Sequence, residues 1–152
     1  MQRGHGLQDF LHNKAITFEK RDISRTYLMM DGQGTPAPGI AGYFTIALTV
    51  LNLPDDKGLS STVVRRMNLS NNRAPAYLIG QISKRDSMER GVGLKVMNVA
   101  LDVIKSGHET FGGRIVCIDC RQPLIDYYEK LGFKKIGHPS DSGLYKSVLL
   151  LS

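Results

Sequence analysis

Between Val92 and Lys105 the chain carries Leu94, Met97, Leu101 and Ile104 on one helical face, with Val96, Ala100 and Val103 beside it. An apolar band that broad must pack on a sheet. The segments around it supply the strands. "SRTYLMM" (Ser24 to Met30) and "IAGYFTIALTVLNL" read as two strands that pair as a hairpin across "DGQGTPAPG", where Pro and Gly force a loop. "AYLIGQIS" is a third strand before the helix and "GGRIVCIDC" a fourth after it. "QPLIDYYEKLGF" follows as a short helix with Pro123 near its first turn and Gly132 as its left-handed stop. "KKIG" and "LYKSVLLL" close the chain as two more strands. Near the start, Leu7, Phe10, Leu11, Ala15 and Phe18 make one apolar helical stripe, and a short helix is expected at Thr62 to Arg66. This order predicts an α/β (α+β) fold with a mixed sheet, not a doubly wound repeat.

At 152 residues, with no linker dividing two apolar halves, one domain over 1–152 is the expectation. A hydrophobic fraction of 41% against 22% charged residues excludes a disordered or membrane-embedded chain. No apolar run approaches the roughly 20 residues a spanning helix needs. "MQRGHGLQDFLHNKA" has no secretory apolar region, so a cytoplasmic protein without membrane contact is expected. Cys117 and Cys120 lie three apart on a strand and face opposite sides, which suits reduced core thiols. His5, His12, His108 and His138 lack ligand spacing, so no metal site is argued. The net charge of +6 favours a polyanionic partner or a phosphorylated cofactor.

The chemistry concentrates at "MERGVG", Met88 to Gly93, between the third strand and the long helix. A strand that turns through glycines into a helix aims orphan backbone N–H groups at one point, where the helix dipole favours an anion. The Rossmann fingerprint fails because position 96 is Val96, and no Gly-Lys-Ser/Thr follows to make a P-loop. From spacing alone, a structural turn and a phosphate cradle both remain open.

Together with "PLIDYYEKLGFKK", this strand, "RGVG" and long helix resemble the GNAT acetyltransferase superfamily. The resemblance implies a mostly antiparallel sheet flanked by helices, with acetyl-CoA as cofactor. It implies that the backbone of Met88, Glu89, Arg90, Gly91, Val92 and Gly93 holds the coenzyme A pyrophosphate. Met88 stands where the family pattern has Gln or Arg. The strand backbone at Ile82, Ser83 and Lys84 resembles the segment that pairs with the pantetheine arm. Tyr128, in "YYEKLGF", falls where the family places the tyrosine facing the sulfur; Tyr127 is read as a core residue.

"LQDFLHNKA", "ISRTYLMMD", "GYFTIAL" and "RAPAYLIGQI" are similar to the GNAT toxins of bacterial toxin-antitoxin pairs, over roughly Leu7 to Phe133. That likeness implies acetylation of the α-amine of aminoacyl-tRNA and neutralisation by a ribbon-helix-helix antitoxin. The strand that opens the family fold would precede Leu7 and has no counterpart here. One sheet edge is therefore expected to be unpaired, open to a partner subunit, and so a homodimer, or to a further segment of chain.

Thioester aminolysis needs a neutral amine, donors for the developing oxyanion and an acid for the leaving thiolate. Tyr128, with a reference pKa of about 10, is the candidate acid. Glu19, Asp31 and Glu129 read as solvated charges, so no general base stands out. An α-amino group, with a pKa of about 7.7 to 8.0, needs one less than a lysine does. Arg25 follows the first helix, while Arg65, Arg66 and Arg73 precede the third strand; all four are candidates to grip an RNA backbone. Two other readings stand beside this one. The first is an acetyltransferase for a small amine or a protein lysine, the second a non-catalytic binding module with a degenerate GNAT fold.

Overall fold

Local hydrophobic periodicity becomes six strands and four α-helices among the residues that the computed structural model describes, 5–32, 39–53, 65, 67, 71–84 and 91–152. The strands are β1 (Arg25–Asp31), β2 (Gly39–Asn52), β3 (Arg73–Lys84), β4 (Ile115–Cys120), β5 (Lys134–Ile136) and β6 (Tyr145–Leu150), in the sheet order β1-β2-β3-β4-β6-β5. The pairs β1/β2, β4/β6 and β5/β6 are antiparallel. The helices are α1 (His5–Asn13), α2 (Ala15–Lys20), α3 (Val92–Phe111) and α4 (Ile125–Lys130), the last preceded by a 3-10 turn over Gln122–Leu124. The mixed sheet flanked by helices is the one expected. The chain divides into two compact units, Met1–Ala47 with Ile79–Ser106, and Leu48–Leu78 with Gly107–Ser152.

In the first unit, β2 is buried on both faces from Ala41 to Thr45, which explains an apolar run without strict alternation. Tyr43 meets Phe10 and Ala15, with Leu11 and Phe18 packed against them. Phe10 stacks on Tyr43 with ring centroids 6.5 Å apart and meets Phe18 edge-on at 5.5 Å. The single first helix expected over Leu7 to Phe18 is two. Lys14, at φ −121°, leaves helical geometry, while Lys14 N–H to Phe10 and Phe18 N–H to Lys14 carry the ladder across the break. The apolar stripe survives because those bonds keep both segments in phase. On β1, Tyr27 stacks on its cross-strand partner Phe44 at 4.9 Å.

In the second unit, Leu51, Leu53, Ala74, Ala76, Ile115, Cys117, Ile136 and Val148 form the core. Both cysteines are free and buried, as their place in the apolar strand implies. Burial pushes the Cys117 thiol up to about 11. Lys146 pairs with Asp119 at 2.8 Å, directly across β4 and β6.

Boundaries differ from the sequence expectation at the long helix, at the strand after it and at β3. The helix expected to stop at Lys105 runs on to Phe111, because its hydrogen-bond ladder outlasts its apolar periodicity. It ends at Gly112 and Gly113, at φ +82° and +87°, which serve as its stop and not as the start of the fourth strand. The Tyr77 hydroxyl donates to the Gly112 carbonyl and seals that end. β3 begins at Arg73, before Pro75, so the strand accommodates a proline close to its first residue. The short helix expected at Thr62 to Arg66 lies outside the described residues except for Arg65, and the loop before Gly39 is outside them over 33–38.

Candidate active site

The first unit carries the strand end and helix start singled out by the sequence. Ile82 is buried, so only its backbone is available to a ligand, while Ser83 and Lys84 are half-buried. The Gln81 N–H donates to the Thr45 hydroxyl at 2.8 Å. A β2 side chain thus satisfies the β3 backbone just before the candidate segment. A Cβ on Gly42 would sit 2.7 Å from the Ser83 carbonyl oxygen and 2.9 Å from Val96 Cγ2. Strand segment and helix α3 therefore meet over a bare glycine backbone. Gly42 and Thr45 went unnoticed in the sequence, although an isolated glycine in an apolar strand signals close backbone approach.

Gly91 has φ +97°, a conformation open to glycine, and a Cβ there would meet nothing within 4 Å. Lys95 N–H makes the first helical bond, to the Gly91 carbonyl, at 3.2 Å. The N–H groups of Val92, Gly93 and Leu94 therefore precede the ladder and lack intrahelical acceptors. Gly93 is buried within the first turn. A positive helix end, orphan donors and open space beside Gly91 suit a phosphate group. Met88, Glu89 and Arg90 lie outside the described residues.

The second unit carries Tyr128, on α4, only 2% exposed. Its ring lies edge-on to Tyr127 at 5.2 Å and to Phe133 at 5.9 Å. The turn that follows brings Phe133 back: its N–H bonds the Tyr128 carbonyl, and Gly132 takes φ +98°. Burial, then Cys120, then Tyr127 raise the phenol above its usual range. It is a neutral group that keeps its proton at physiological pH. The half-buried Tyr127 is raised by burial as well.

The four candidate RNA contacts are placed differently. Arg65 and Arg73 are exposed, and Arg66 lies outside the described residues. Arg25 is engaged within its own unit, with Glu19 at 3.0 Å and Asp22 at 2.6 Å. The Asp22 hydrogen bond, then that of Glu19, raise its pKa further.

No helix among the described residues is long and apolar enough to cross a membrane. No protein-family model and no curated protein matches the sequence. Solved structures match the fold. A tyrosine-to-phenylalanine mutant of KacT gives a TM-score of 0.75 at 18% identity, over 94% of this chain and 81% of that one. AtaT complexed with acetyl-methionyl-tRNAfMet gives 0.74 at 18% identity, over 95% and 83%. A tyrosine-to-phenylalanine mutant of AtaT, bound to the C-terminus of the antitoxin AtaR and acetyl-CoA, gives 0.68 at 16% identity, over 93% and 78%. Strand order, flanking helices and these similarities together show the fold of KacT and AtaT.

Proposed function

We propose that this chain is an acetyl-CoA-dependent N-acetyltransferase acting on the α-amine of aminoacyl-tRNA, the toxin of a toxin-antitoxin pair. The observation that carries the reading is Gly91, left-handed and open, at the head of a twenty-residue helix. The same fold holds acetyl-CoA in an AtaT complex and acetyl-methionyl-tRNAfMet in another. The backbone of Met88, Glu89, Arg90, Gly91, Val92 and Gly93 would hold the pyrophosphate. The backbone of Ile82, Ser83 and Lys84 would pair with the pantetheine arm. Bound acetyl-CoA supplies an activated thioester.

Tyr128 is the group we assign to the leaving sulfur. Burial raises its pKa, which widens the gap to a thiol of about 8.5. The phenol accordingly acts by donating a hydrogen bond as charge develops on sulfur, and it holds its proton in the resting protein. An α-amine needs little help to lose its own proton, in keeping with the absence of an assigned base. Arg65, Arg66 and Arg73 are the proposed RNA contacts, and Arg25 the weakest of the four because Glu19 and Asp22 offset its charge. A ribbon-helix-helix antitoxin is the proposed partner, AtaT being the precedent for an antitoxin-bound toxin of this fold.

Incubation with labelled acetyl-CoA and total aminoacyl-tRNA tests the reading. Label should enter the aminoacyl group, and Tyr128→Phe should cut turnover 10- to 100-fold, about 1.4 to 2.7 kcal/mol, with little change in acetyl-CoA affinity. Label in protein lysines or small amines alone would replace the acceptor. Failure to bind acetyl-CoA would leave a non-catalytic module.

A further inference from the structure

The second unit buries a hydroxyl for which the mechanism so far has no use. In the β4/β6 register Ile118 faces Ser147 and Cys120 faces Tyr145, so Cys120 and Ser147 are diagonal neighbours on one face of the sheet. The opposite face, with Cys117 and Val148, belongs to the core already described. Helix α4 lies on the Cys120 face. Leu149, two residues beyond Ser147, brings its Cδ1 to 3.1 Å from where a Cβ on Gly132 would stand, at the helix stop. Ser147 and Cys120 are each 1% exposed, as buried as Tyr128 on that helix. Ser147 Oγ makes no hydrogen bond to any described residue. An unpaired hydroxyl in the interior is costly, and an alanine there would carry no such penalty. The three groups also feel one another in turn. After burial, Cys120 is the next influence that raises the Tyr128 phenol. Burial raises the Cys120 thiol too, and the Ser147 hydroxyl lowers it, the two facing each other short of hydrogen-bond geometry.

We infer that Ser147 is a positioning residue for Tyr128, acting through the Cys120 thiol; the inference rests on the proposed role of Tyr128 at the leaving sulfur. A hydroxyl rotates at little cost, so the Ser147 proton can turn to the Cys120 sulfur. The thiol is then left to aim its own S–H at the phenol oxygen. A phenol that accepts a hydrogen bond donates a stronger one. The Tyr128 proton is thereby directed outward, and charge growing on the leaving sulfur is spread along three donors. No proton changes owner, because burial raises phenol and thiol alike.

Steady-state acetylation by the full chain tests it. Ser147→Ala should lower kcat about 3- to 10-fold, the worth of one hydrogen bond, with KM for acetyl-CoA unchanged and thermal stability no lower than wild type. In a Tyr128→Phe background the same substitution should have no effect. Cys120→Ala should match Ser147→Ala, and Cys120→Ser, which keeps a donor and an acceptor, should recover most of the rate. An equal loss with and without the phenol, or an unchanged kcat, would overturn the inference. Tyrosine enriched in carbon-13 at Cζ supplies a readout that needs no acceptor. The Tyr128 signal, assigned by its loss in Tyr128→Phe, should move in Ser147→Ala while that of Tyr43 stays in place. A Tyr128 signal that does not move would equally overturn it. A signal that moves in a chain without turnover would support the relay and fault the acetyltransferase reading instead.

Discussion

Gly91 and Arg25 show how differently single residues present themselves. Gly91 was readable because a glycine just ahead of an apolar helix has few uses, and its φ of +97° follows. Since a Cβ there meets nothing within 4 Å, Gly91→Ala isolates the backbone cost, about 1 to 2 kcal/mol for an L-residue held left-handed. Urea unfolding should report a loss of that size or less if the turn relaxes. Acetyl-CoA titration should report weaker binding in either case, and unchanged affinity would remove this turn from the site. Arg25 counted as a free cation in the sequence but is paired with two carboxylates of its own unit. Its partners Glu19 and Asp22 reach it through a tight turn in which Asp22 takes φ +57°, and neither composition nor periodicity shows that turn.

Elements were located well by their apolar periods and less well at their ends. α3 outran its stripe by six residues because the final polar turns need only backbone hydrogen bonds and a glycine stop. The α1–α2 break at Lys14 left no periodic trace because the stripe continues through it. At Gly42 a strand and a helix meet closely. In Gly42→Ala the new methyl collides with the Ser83 carbonyl and Val96, and a backbone oxygen cannot swing aside as a side chain does. Overpacking of this kind costs about 1 to 3 kcal/mol. Denaturant melts should show that loss, and the displaced Ser83 should weaken acetyl-CoA binding measured by calorimetry. A stable variant with wild-type affinity would show that β3 does not hold the pantetheine arm.

For the molecule as a whole, buried neutral groups set the alkaline limit of stability. Burial pushes the Tyr43 phenol up to about 12 and the Cys117 thiol up to about 11, each above its unfolded value. The unfolded chain therefore loses these protons first as pH rises. Their contribution is complete below the unfolded values, near 9 for the thiol and 10 for the phenol, and is lost as pH climbs through the folded ones. The two together amount to a few kcal/mol, on the order of 2 each. Melting temperature should be level from pH 7 to 8.5, then fall steadily toward pH 11. A level profile up to pH 11 would mean that neither group is shielded as its burial implies.

Taken alone, the sequence determined the order of the six strands, the long and short helices between them, the glycine ahead of the long helix, and the tyrosine on the short one. Those features are written in spacings of two to four residues, the range over which backbone geometry repeats. Only the tertiary structure decided which polar groups are already spoken for: Gln81 by Thr45, thirty-six residues away, Thr26 by Glu19, and the Gly112 carbonyl by Tyr77. Such partners are chosen by sheet register and helix docking, which depend on side chains far apart in the chain and leave no local period to read.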